Sequence, residues 1–371
     1  MNAERLHAVV RAIRDDLRKT KALQLFQQLR DALQNQVNQP QQPAHQQQVS
    51  ESLRQLDQVL GEATINAFTP AWKQALSEIG VLDLFGERLR DSIREIFARN
   101  QITPSVALQE IIEIAKRLEQ VSSSIDQLIA GLAVLQIGAE ELEPGECELG
   151  VLVPRNAVQN RLGEFAKELA TLNKMLGIFE ELATGTRSGF PIRSISSSDL
   201  TVFLDLAPQV AACMAVAVER IVALYKQLLE IRGLRKQLSD QGVPAKALQG
   251  VDSHANGHMK KGIDVVAKEM IEQYAADTEE GRRNELQTEL HTALNQIANR
   301  IDKGYNIDVR VRAIEEPEGD AEEDGTAPTR EALAIALEAS KRLQFLKPSG
   351  DPILSLPEPK GNEDPGPDEK T

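Results

Sequence analysis

The chain has 371 residues, enough for two ordinary domains, and 41% of them are hydrophobic, which supplies real cores and excludes global disorder. Aromatics make up only 4%, so the cores are expected to be Leu, Ile, Val and Ala seams between helices, a composition that argues against an aromatic-lined cofactor pocket. The formal charge is −14, and residues 315 to 371 carry 15 acidic and 6 basic side chains, so −9 of it sits in the C-terminal stretch, which disfavours nucleic acid and anionic lipid as partners.

The N-terminus interleaves charges with its apolar positions and lacks the apolar core of a secretory signal. Leu6, Val9, Val10, Ile13 and Leu17 recur at helical spacing, and Leu25, Phe26, Leu29 and Leu33 repeat the pattern, so two amphipathic helices open the chain. Residues 34 to 48, QNQVNQPQQPAHQQQ, read as a flexible Gln/Pro-rich loop. Thr69-Pro70 and Thr103-Pro104 are helix-start signals, with Thr as N-cap and Pro at the first helical position. The helix after Thr103 carries Ile111, Ile114, Leu118, Val121, Ile125, Leu128, Leu132 and Leu135. These alternate spacings of three and four, a heptad seam that predicts coiled-coil-like packing.

After the turn AEELEPGE the pattern changes. In ECELGVLVPR, Cys147, Leu149, Val151 and Val153 alternate with Glu146, Glu148 and Gly150, which predicts a half-buried strand. A second seam follows at Val158, Leu162, Phe165, Leu169, Leu172, Leu176 and Phe179, with Asn156 as its expected cap. Gly185 of GTRSG ends that helix, since the loop lacks the lysine and the strand-to-helix setting of a phosphate loop. FPIRSI and LTVFLDL read as strands joined by a turn at Ser196, Ser197, Ser198 and Asp199.

A third seam starts near Pro208 with Val210, Met214, Ala217, Ile221, Leu224, Leu228 and Ile231, flanked by a second apolar face at Val218, Val222, Tyr225 and Leu229. Its apolar start, residues 206 to 218, is shorter than the roughly 20 residues a membrane span needs. SDQGVPAKALQGVDSHANGHMKKG reads as a loop, and residues 263 to 303 as a returning helix with a weak point at Gly281. Ile307, Val309 and Val311 then alternate with Asp308, Arg310 and Arg312 in the clearest strand pattern of the chain.

The expected fold is α+β and predominantly helical. Residues 1–143 form a helical module, and 145–314 an α/β module whose order of strand, helix, two strands, helical hairpin and strand matches the split βαβ, ferredoxin-like arrangement. There the last strand lies antiparallel to the first, which pairs Glu146 and Glu148 with Arg310 and Arg312. Residues 315–327 read as an acidic linker, 328–346 as a short amphipathic helix that docks in cis or in trans, and 347–371 as a disordered acidic tail.

No catalytic, cofactor-binding or metal-binding residue is assigned. Asp252, His254 and His258 lack the remaining ligands of a zinc site and read as part of a solvated loop. The serines near Asp199 have no adjacent histidine or nucleophile-elbow pattern. Cys147 and Cys213 fall in apolar patterns and read as core thiols of a reduced cytoplasmic protein. The function that fits is a non-enzymatic cytosolic scaffold or adaptor, a homo-oligomer with protein partners and no membrane role, with nucleic acid disfavoured as a partner. The alternative is an enzyme or ligand sensor with an anion site on the open sheet face, near Arg193, Ser194, Arg310 and Arg312.

Overall fold

A computed structural model describes residues 3–196, 200–276, 278–314 and 327–358. The described residues form twelve α-helices and one four-stranded antiparallel sheet, an α+β fold dominated by helix. The chain divides into two compact units, Met1–Glu141 and Leu142–Thr371.

Unit 1 is helical: α1 (Ala3–Thr20), α2 (Ala22–Asn38), α3 (Pro43–Gly61), α4 (Pro70–Glu78), α5 (Gly86–Arg99) and α6 (Pro104–Val134). Val9, Val10, Ile13, Phe26, Leu29 and Leu33 lie in its core, so both opening patterns mark buried faces. Thr69 accepts the Trp72 N–H at the start of α4, whereas Thr103 leaves α6 uncapped and gives its hydroxyl to Asn100. The loop expected at 34 to 48 is a correction: α2 runs to Asn38 and α3 begins at Pro43. Gln is a good helix former, Pro43 sits at the first helical position where its missing N–H is harmless, and Val49 is buried.

Unit 2 holds β1 (Cys147–Leu152), α7 (Leu162–Thr184), β2 (Ile192–Ser196), β3 (Thr201–Leu206), α8 (Pro208–Lys226), α9 (Leu229–Asp240), α10 (Ala245–Tyr274), α11 (Glu280–Asp302), β4 (Asn306–Val311) and α12 (Ala327–Arg342). The strand order is β2-β3-β1-β4 with every pair antiparallel. Cys147, Leu149 and Val151 join Val202, Leu204, Leu206, Ile307 and Val309 in one core with α7, α8, α10, α11 and α12. α8 has the length and apolar content to cross a membrane, but most of it is buried, as in a core helix. It packs against α7, α10, α11 and α12.

Further readings are corrected in this unit. α7 starts at Leu162, not near Asn156, because 155–160 turn with Gln159 and Asn160 in the left-handed region; Val158 is buried, while Leu162 faces solvent. The third seam is broken into α8 and α9 at residues 227 and 228. The returning segment breaks after Tyr274, and Gly281 lies in the first turn of α11.

The supposed loop before residue 263 is mostly α10, whose buried stripe begins at Leu248, Ala255, Met259 and Ile263. Gly262 allows close helix packing, since a Cβ there would lie 2.6 Å from Leu224.

The amphipathic helix expected at 328–346 is present as α12, and the disorder expected from residue 347 is corrected over the described residues up to 358. α12 packs in cis against α8 and β4, and residues 351–358 lie against the unit with Ile353, Leu354 and Leu356 buried. The acidic linker at 315–326, the turn residues 197–199 and the tail from 359 onward lie outside the described residues.

Candidate functional site

Alternation along β1 sends Glu148 and Gly150 to the face opposite the core. The strand register sets Glu148 across from Arg310 on one side and Asp205 on the other. Arg193 arrives from β2, where pairing with β3 slips between Ile192 and Ser194, a bulge of the kind that re-aims a side chain. Its guanidinium lies 2.8 Å from Glu146, 2.5 Å from Asp205 and 3.9 Å from Glu148, while Arg310 approaches Glu148 at 3.8 Å. Arg312 donates to the Leu142 carbonyl at 2.7 Å. Of the cross-strand pairs expected from sequence, Glu148 with Arg310 is formed, and Glu146 is held by Arg193, which the sequence placed on this face as an anion-site candidate and not as its partner.

This face is not open, since Glu148 is only 2% exposed and Phe203, Asp308 and Arg310 are also buried. Phe203 lies across from Gly150, and a Cβ there would come within 3.0 Å of the ring. The Arg193 bond, helped by the Glu143 N–H, holds the Glu146 carboxyl below its ordinary range against the opposing effect of burial. Burial works against the Arg193 charge, and the bonds to Glu146 and Asp205 outweigh it. Arg193, Arg310 and Arg312 thus stand among Glu146, Glu148, Asp205 and Asp308. Such a set locks strands together and attracts an added anion poorly, because the positive charge is already met.

The other candidates are dispersed. Asp252, His254 and His258 lie along α10; Asp252 takes a two-pronged bond from Arg235, and His258 pairs with Gln227. No group of three or more His, Cys, Asp or Glu side chains converges among the described residues. Gly185 is the left-handed C-cap of α7, and the Glu180 carboxylate receives the N–H groups of Ser188 and Gly189. Both cysteines are free and buried, and burial pushes the Cys147 thiol up to about 12. Unit 1 adds a cleft of about 460 Å³ between α3 and α5, floored by Leu53, Ile93 and Phe97 and bordered by the bond from Arg94 to Asp57.

Sequence reasoning missed the cluster that holds residues 349–358. Arg232, Asn256, Asn299 and Asp302 come from three helices and bond the main chain of that segment. A signal was available in α11, where Asn295, Asn299 and Asp302 share one helix face at spacings of four and three, an unusual stripe beside buried apolar residues. No protein-family profile matches the chain, and no curated protein or solved structure matches it either.

Proposed function

We propose that the protein is a non-enzymatic cytosolic scaffold or adaptor that works through helix-mediated self-association and the binding of protein partners. The observation that carries this reading is the divided seam of α6. Ile111, Leu118, Ile125 and Leu132, one heptad position, are buried, the first three in the core of unit 1. The alternate position is progressively uncovered: Ile114 and Val121 are half-buried, Leu128 is 37% exposed, and Leu135, just past the helix, is 69% exposed. A seam with one edge in its own core and the other opening to water at Leu128 and Leu135 is suited to a coiled-coil-like contact with another chain.

Two further features support the reading. β2 is an edge strand that exposes Ile192 and Ile195, and edge strands of this kind accept added strands. The strand order and the all-antiparallel pairing agree with a ferredoxin-like platform carrying long helices. The ligand-sensor alternative has less support, because the arginines it needs are matched by carboxylates on the same face.

Cysteine probes test the contact, since the two native thiols are buried. Leu128→Cys and Leu135→Cys chains are oxidised separately and mixed at micromolar concentration. A parallel pair of α6 helices gives covalent dimers of each variant, and an antiparallel pair gives the mixed dimer. Cross-linking no greater than for Glu113→Cys, on the exposed side of the same helix, would overturn the proposal.

A further inference from the structure

Residues 349–358, SGDPILSLPE, are held as a peptide ligand is held. The segment has no helix or strand of its own and makes no backbone–backbone hydrogen bond with the described residues. Its main chain is read by side chains. Arg232 of α9 donates to the carbonyls of Ser349, at 3.0 Å, and Gly350. One oxygen of Asp302 accepts the N–H groups of Ile353 and Leu354, each at 2.7 Å. Asn256 of α10 accepts the Ser355 N–H at 2.7 Å. The Asn299 amide closes on Leu356 from both sides, taking its N–H and giving to its carbonyl, each at 3.0 Å.

Side-chain selection accompanies this main-chain grip. Ile353, Leu354 and Leu356 are buried, while Asp351, Pro352, Ser355 and Pro357 face out. Gly350 has φ +79, and a Cβ there would press on Lys236 at 3.0 Å, so the first position favours glycine. Pro352 and Pro357 bias the residues before them toward extended backbone, which lowers the ordering cost of binding. The receiving groups are fixed in advance: the other oxygen of Asp302 bonds Tyr225 at 2.6 Å and Arg232 at 2.7 Å, independently of the segment.

We propose that the face built by α9, α10 and α11 is a recognition site for an extended Gly-x-x-Ile-Leu-x-Leu segment, filled in cis by residues 349–358 and able to receive the same segment from a second copy of the chain. A second copy is the partner the chemistry favours, because it carries a ligand already complementary to every contact. Exchange of a terminal element between identical chains creates no new kind of bond. This site is separate from the exposed edge of α6.

The test uses full-length protein and a fluorescein-labelled peptide of sequence SGDPILSLPE, followed by fluorescence anisotropy. In Leu354→Asp/Leu356→Asp the chain's own segment is disabled and the receiving side chains are intact; it is expected to bind the peptide at least tenfold more tightly than the unmodified chain. Adding Asn299→Leu is expected to abolish that gain, and Leu128→Glu/Leu135→Glu to leave it unchanged. Should circular dichroism show the double aspartate variant unfolded, Ser355→Pro gives the same comparison, since it removes one main-chain donor at an exposed position; about threefold tighter binding is expected. Equal affinity for the folded variant and the unmodified chain would overturn the recognition site. With Leu128→Glu/Leu135→Glu in both chains to remove any contact through α6, a mixture of the segment-disabled chain with an Asn299→Leu chain is expected to give a one-to-one dimer by light scattering, and only separate monomers would overturn exchange between copies.

Discussion

The Arg232 guanidinium meets the Asp302 carboxylate at 2.7 Å, with 4% and 0% of the two side chains exposed. Removing one member of such a pair leaves a charge buried without its counter-charge, at a cost of about 3–5 kcal/mol. Asp302→Ala is therefore expected to lower the unfolding free energy of unit 2 by that amount in urea titrations. The double change Arg232→Met/Asp302→Leu removes both charges and is expected to recover more than half of the loss. A loss under about 1 kcal/mol for the single variant would contradict the role given to this pair.

Glu148 and Arg310 face each other across β1 and β4. Arg310→Glu places two carboxylates opposite one another on a buried face, and a destabilisation of about 3 kcal/mol is expected from the same uncompensated charge. Adding Glu148→Lys is expected to return about half, since Arg193 then loses a neighbouring carboxylate. Thermal melts of the two variants against the unmodified chain measure both effects.

Neither cysteine is expected to react with a thiol reagent in the native protein, and both are expected to react once it is unfolded. Burial raises both thiols, Cys147 to about 12. A raised folded pKa means the native state resists ionisation. The corresponding stability is complete below the ordinary value of 9.0 and declines as the pH climbs toward 12. Melts from pH 8 to pH 11 check the direction, and Cys147→Ala is expected to flatten the decline.

The acid side runs the other way. Arg193 holds the Glu146 carboxyl below its ordinary value of 4.5, so the unfolded chain takes up a proton before the native one does. The stability tied to this bond is present above pH 4.5 and is lost as the pH falls through the lower folded value. Glu146→Gln is expected to give a shallower loss of melting temperature between pH 5 and pH 3. An unchanged slope would show that the bond to Arg193 contributes nothing.

Periodicity carried much of the fold into view. β4 was legible because Ile307, Val309 and Val311 alternate cleanly with charged residues, and the opposing Glu148 suggested its neighbour. Arg193 was legible as a residue of that face, but its bonds to Glu146 and Asp205 were not, because the bulge that aims it is invisible in a linear pattern. α10 was hidden by Gly250, Gly257 and Gly262, and the reason for Gly262 shows only when Leu224 of α8 lies against it. Residues 351–358 resembled a tail because the side chains that order them are scattered from Arg232 to Asp302, and no local pattern announces a contact of that range. The Gln-rich stretch resembles a loop by its polarity, yet the helix propensity of Gln carries it into α2 and α3.

The central claim, that this chain assembles with itself through the uncovered edge of α6, is tested most directly by light scattering on the full-length protein across micromolar concentrations. The expected result is a mass that rises above the 40.9 kDa of one chain and returns to it in Leu128→Glu/Leu135→Glu. A mass of one chain at every concentration, identical in the two proteins, would contradict the claim.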